Sequence, residues 1–170
     1  MGRHLIAIGW LLPSLCCLAS STTDSFQVTA AITNGCAFGS NGSASADFGT
    51  LDFGSMSAIS NPVDVASSSG TGSIVVTCTP GTAITLALDY GENGGSASTR
   101  YLSNGSATLA YQLYQDAAHT TVWGSDSLAY SVSSFPESTQ TYTVYGRLFA
   151  TTGLPASGTY RDTVTVTLTY

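Results

Sequence analysis

Lysine is absent from this 170-residue chain, and its only cationic side chains beyond two histidines are Arg3, Arg100, Arg147 and Arg161. Charged residues make up 8% of it, against about 25% in an ordinary soluble domain. With no basic patch to neutralise phosphates, nucleic acid is excluded as a partner. The scarcity of Glu, Lys and Arg argues equally against a long amphipathic helix or a coiled coil. Histidine is limited to His4 and His119, too few for a histidine-rich metal site. What is abundant is small and hydroxylated: 25 Ser, 24 Thr and 18 Gly, beside nine Tyr and an apolar share of 43%. That apolar share supplies a core and excludes disorder. Thr, Val and Tyr in quantity, with many turn residues, predict an all-β protein.

Residues 1–21 read as a secretory signal. Arg3 gives the positive start, Leu5 to Leu18 the apolar run, and Ala19 or Ser21 a small residue before cleavage. The run is about 14 residues, short of the roughly 20 needed to cross a bilayer. Cys16 and Cys17 do not make a lipoprotein site, because the residue before each, Leu15 or Cys16, is not small. The exported remainder, about 150 residues, is the size of one sandwich domain. It keeps two cysteines, Cys36 and Cys78. An oxidising compartment predicts a disulfide between them, worth about 4 kcal/mol on the chain-entropy account. The lack of a C-x-x-C pair argues against a thiol redox site.

Along the exported part, Phe26–Thr33 alternates apolar and polar residues with the two-residue period of a half-buried strand, and Asn34-Gly35 ends it. Residues 39–46 read as a loop, and Asp47–Gly54 as short β or turn pieces carrying Phe48 and Phe53. Strands are expected at 73–78, at 83–90 with Ile84, Leu86 and Leu88 on one side, at 109–114 and at 142–148. Short pieces are expected around 122–124 and 128–132. The last segment, Tyr160–Tyr170, puts Tyr160, Val164, Val166, Leu168 and Tyr170 on one face and Thr on the other. Strands at this spacing predict a β-sandwich or barrel.

Both end segments lack the Lys or Pro residues that guard an exposed strand edge. Either they pair within their own sandwich, or they add to the sheet of another chain.

The sequence resembles the spore coat protein U domain family, which includes subunits of archaic chaperone–usher pili of the Csu type. The motifs that carry the resemblance are Phe26-Gln27-Val28-Thr29 with Cys36, Phe48-Gly49-Thr50-Leu51-Asp52-Phe53-Gly54 and Gly72-Ser73-Ile74-Val75-Val76-Thr77-Cys78. They continue with Leu109 to Gly124, Thr143-Val144-Tyr145-Gly146-Arg147 and Pro155 to Val166. His119 departs from the Arg expected in the D-x-x-R-T segment, which puts a local surface contact in doubt. The resemblance implies an incomplete immunoglobulin-like β-sandwich completed by a donated strand. Residues 22–33 would be the donor strand, with Phe26, Val28, Ala30 and Ile32 filling a neighbour's pockets, and 34–170 the pilin-like domain. Val164, Val166, Leu168 and Tyr170 would form the strand that lines the acceptor groove. The implied partners are copies of the chain or related subunits, a periplasmic chaperone and an outer-membrane usher, with the membrane met only through the usher. The implied destination is the cell surface, reached through the periplasm, where a pilus would support adhesion or biofilm formation.

Catalysis has little to use. A Ser–His–Asp set would have to combine His119 with Asp116 or another acid, and no G-x-S-x-G occurs. Asp89, Glu92 and Asn93 fit no calcium loop. No enzyme, cofactor or metal site is expected. Two other functions compete with the pilus shaft: a tip adhesin stacking sugars on Trp123, Tyr111, Tyr114, Tyr130, Tyr142 and Tyr145, and a spore or cyst coat protein built by the same strand exchange.

Overall fold

Alternation between apolar and hydroxyl side chains decides which face of each strand is buried. The computed structural model describes residues 22–39 and 47–170. The expected signal segment and residues 40–46 of the expected loop lie outside the described residues. The chain divides into two units, Met1–Ile32 and Thr33–Tyr170.

Within Thr33–Tyr170 the strands are β1 (Cys36–Phe38), β2 (Val63–Ala66), β3 (Ile74–Cys78), β4 (Ile84–Leu88), β5 (Arg100–Ser103), β6 (Thr108–Tyr114), β7 (Tyr130–Val132), β8 (Gln140–Tyr142), β9 (Tyr145–Leu148) and β10 (Val166–Thr169). They form three antiparallel sheets, in the orders β1-β3-β8, β10-β4-β7 and β2-β9-β6-β5. The only helical element among the described residues is a 3-10 turn, Asp126–Leu128. The all-β fold expected from composition forms, and of the sandwich or barrel left open by strand spacing it is a sandwich.

The core draws on all three sheets. Ile74 and Val76 come from β3, Leu86 and Leu88 from β4, and Leu113 and Leu148 from β6 and β9. Trp123 is buried among them and donates its indole N–H to the Leu86 carbonyl at 2.9 Å. Cys36 and Cys78 face each other in register at the ends of β1 and β3 and are joined by a disulfide.

Four differences from the sequence reading have physical causes. The strand expected at 26–33 is absent: residues 22–35 carry no strand and are exposed throughout. A strand without a ladder partner leaves its backbone groups to water, so periodicity alone does not fix it. The stretch expected as one strand at 142–148 is two, because the chain changes sheets at Thr143-Val144. There the Val144 N–H donates to Ser67 Oγ at 2.7 Å, and its carbonyl accepts from the Ser67 N–H at 2.9 Å. The last segment keeps its alternation from Tyr160 onward, but only Val166–Thr169 joins the β4 ladder. Finally, β2 and β5 were not foreseen; each is a four-residue edge strand with mixed polarity.

Candidate functional site

A long groove with an apolar floor and a mixed polar and apolar lining runs along one side of the sandwich. One wall is the segment from Asp47 to Ile59, and the other is the segment from Pro155 to Val166. Two connected cavities of about 430 and 930 Å3 occupy it, sharing Thr50, Leu51, Phe53, Leu102, Asp162 and Thr163. Its floor is the core itself: Ile74, Leu88, Leu113 and Val144 under the smaller part, Ile59, Leu109 and Leu148 under the larger.

The first wall is shaped by a repeated Asp-Phe-Gly triplet. The carboxylates of Asp47 and Asp52 accept the N–H groups of Gly49 and Gly54 at 2.8 and 2.9 Å, two side-chain turns of the kind aspartate favours. Both glycines have positive φ, 80° and 87°. The turns set Phe48 edge-on to Phe38, at 5.2 Å between centroids, and Phe53 edge-on to Tyr111, at 6.1 Å. Among the described residues the backbone of 50–58 bonds to no other backbone. The opposite wall leads into β10, which pairs on one side only, with β4. The groove therefore lies, above an apolar floor, between a segment that joins no backbone ladder among the described residues and one that is tied on its far side to Ser103 through Arg161 before it enters β10.

One polar cluster stands over the floor of the smaller part. Asp162 Oδ1 accepts from the backbone N–H of Glu92 and Thr163 and from the Asn93 amide at 2.9–3.0 Å, and Oδ2 accepts the Tyr111 hydroxyl at 2.6 Å. Burial, and then the Asp162 carboxylate, pushes the Tyr111 phenol far above the ordinary tyrosine range, so it stays protonated as a donor.

The sequence-predicted residues divide clearly. Val164 and Val166 line the groove. Leu168 is half-buried and packs on the core without lining it. Tyr170 is 61% exposed and lies past the ladder, whose register ends at Thr169. Phe26, Val28 and Ile32 are 88%, 81% and 93% exposed, and Ala30 is exposed too. The groove's first wall and Asp162 were not assigned from sequence, although the repeated triplet was a signal for that wall.

Other candidate residues serve the scaffold. Trp123, Tyr111 and Tyr114 are buried and offer no platform for a sugar. Asp89 accepts the N–H groups of Gly91 and Thr165, and the Asn93 amide donates to the Tyr101 and Arg161 carbonyls as well as to Asp162. The Asp116 carboxylate accepts the N–H groups of Thr120 and Thr121 and closes a turn. His119, whose departure was expected to alter a surface contact, has a buried side chain instead. Its ring stands edge-on to Tyr114, and its Nε2 lies 3.8 Å from Asp64, the carboxylate that Arg147 grips through two nitrogens.

The profile of the Spore Coat Protein U domain family matches residues 22–167. "Protein U" of Myxococcus xanthus is 33% identical over 167 residues, covering 89% of this chain and 87% of that protein. Among solved structures, a chain of the CsuC–CsuE chaperone–tip adhesion subunit pre-assembly complex, from archaic chaperone–usher Csu pili of Acinetobacter baumannii, is similar. The match covers 82% of this chain and 40% of that one, with a TM-score of 0.49 and 24% identity.

Proposed function

The chain belongs to the Spore Coat Protein U domain family, and on that footing we propose that it is a structural subunit, not an enzyme, which joins copies of itself or related subunits into a surface pilus. The joint is a donated strand: residues 22–33 of one subunit lie in the groove of the next and complete its sandwich in the immunoglobulin-like manner. A periplasmic chaperone fills the groove first, and an outer-membrane usher exchanges it for the neighbour's strand. A pilus built this way supports adhesion and biofilm formation.

The observation that carries this reading is a match within one chain. An exposed segment alternates Phe26, Val28, Ala30 and Ile32 with Gln27, Thr29, Ala31 and Thr33, and a groove with an apolar floor, one wall of which joins no backbone ladder among the described residues, lies in the same sequence. Burying Phe26, Val28 and Ile32 contributes roughly 1.5–3 kcal/mol each, and each new backbone hydrogen bond about 0.5–1.5 kcal/mol. They act against the cost of ordering the strand and its lost freedom on association. Deleting residues 22–33 is expected to leave a domain that binds a synthetic 22–35 peptide but forms no polymer. Polymers of ordinary length from the deleted chain would refute the joint.

A coat layer is the second reading, favoured by the family's description. The same joint would then build a sheet around a spore or cyst. Electron microscopy of the assembled exported chain separates fibres from layers.

A further inference from the structure

We propose that the Cys36–Cys78 disulfide isolates the groove from tension applied to the N-terminal segment, an inference that rests on the strand-donation reading above.

The argument starts from chain order. Residues 22–35 run directly into β1, only three residues long and, among the described residues, paired on one side only, with β3. Beyond β1 the chain continues to the Asp47–Ile59 wall of the groove. In a polymer held by donated strands, a pull along the fibre enters each subunit through its own residues 22–35 and leaves through the strand seated in its groove. A three-residue edge ladder peels readily, because its few hydrogen bonds break one after another. Once β1 peeled, the pull would pass along the chain into the wall that holds the neighbour, and the groove would open under the tension it must resist.

The covalent bond lies where it prevents this. Cys36 is the first residue of β1 and stands in register with Cys78, the last residue of β3. The pull is thus handed to β3 before it reaches the β1 ladder, and it bypasses the 42-residue separation that contains the groove wall. β3 is central in its sheet and anchored by Ile74 and Val76, which are 1% and 0% exposed. Just outside the bridge, Gly35 donates its N–H to Thr79 Oγ1 at 3.1 Å and accepts the Thr79 N–H at 2.9 Å, which seats the entry point against the same strand.

The test fixes a 22–35 peptide to one bead and the N-terminus of the exported chain to another, seats the peptide in the groove, and measures the lifetime of the joint. The oxidised chain is compared with the same chain reduced in place by a phosphine, and a Cys36→Ser, Cys78→Ser variant repeats the comparison without reductant. At rest, labelled peptide is expected to leave both forms at rates within about twofold. Under a steady pull, the reduced form and the variant are expected to release it roughly tenfold faster than the oxidised form, since forced rupture follows the opening rate. Equal lifetimes under the pull would overturn the inference. So would fast release from the reduced form at rest, because the bridge would then hold the groove together directly. A peptide that never seats in the oxidised chain defeats the strand-donation reading itself.

Discussion

Arg100 has no solvent exposure, yet no carboxylate touches it. Its guanidinium donates to the Asp89 carbonyl through Nε at 3.0 Å and Nη2 at 2.6 Å, to the Trp123 carbonyl at 2.8 Å, and to Gln112 Oε1. The planar fork thus ties the end of β4 to β6 and to the segment after it, and the Tyr90 ring lies 5.3 Å from the charge. Burial lowers its pKa from the usual arginine value, without depriving it of its charge. Arg100→Ala is expected to destabilise the domain by about 3 kcal/mol, because three acceptors lose their donor inside the protein; urea unfolding of the oxidised chain measures it. Nothing in the local sequence announced this role, since a lone arginine among Ser, Thr and Gly reads as a surface residue. Tyr111 carries the pH dependence at the same scale. Its hydroxyl is kept protonated in the fold by burial and Asp162, while the unfolded phenol ionises near pH 10, about the ordinary tyrosine value. The raised folded pKa means that stability is fully present below about pH 10 and is lost as the pH climbs further. Tyr111→Phe is expected to flatten that alkaline loss in part, because burial also raises Tyr114 and Tyr142. Thermal unfolding at stepped alkaline pH reads the difference.

Among the elements, β3, β4 and β6 were legible because apolar runs or alternation marked them, and the buried face of β4 is the one the pattern assigned. The groove wall was not, because it uses neither period. Two Asp-Phe-Gly turns place its rings, and its position depends on a close approach far along the chain. A Cβ on Gly49 would lie 2.0 Å from the Gly70 carbonyl oxygen, and the residue already sits at φ +80°. Gly49→Ala therefore strains the backbone and pushes the wall from the Gly70–Gly72 turn, where the Gly72 N–H donates to the Phe48 carbonyl at 2.7 Å. The expected cost is about 1–3 kcal/mol, seen as a lower urea midpoint together with weaker binding of the 22–35 peptide. On the opposite wall, Val166→Asp places a carboxylate on the groove lining, where it has no partner. Chaperone co-purification and peptide binding are both expected to fall by tenfold or more, on the order of 1.4 kcal/mol and above; unchanged co-purification would remove β10 from the docking surface.

At the scale of the whole molecule, the composition and the exposed N-terminal segment describe one property. A chain with 8% charged residues and no lysine lets identical copies meet without burying unpaired charge. The alternation in Phe26–Thr33 has the period of a strand, but the pattern says nothing about where a ladder partner would be; among the described residues, 22–35 join no sheet. If that partner is another copy's groove, a domain deleted of residues 22–33 binds the 22–35 peptide only in its folded state, so peptide raises its stability by mass action. The expected gain is about 2.7 kcal/mol when free peptide reaches 100 times its dissociation constant, read as a melting temperature that climbs with peptide concentration. In the intact exported chain the same peptide competes with the neighbours' strands, and excess added before assembly is expected to shorten the polymers in proportion to its ratio over subunits. A peptide carrying Asp in place of Val28 and Ile32 keeps the length and the backbone donors but loses the apolar face. It is expected to do neither, and stabilisation by this control would show that backbone pairing alone, without the groove's apolar floor, holds the strand.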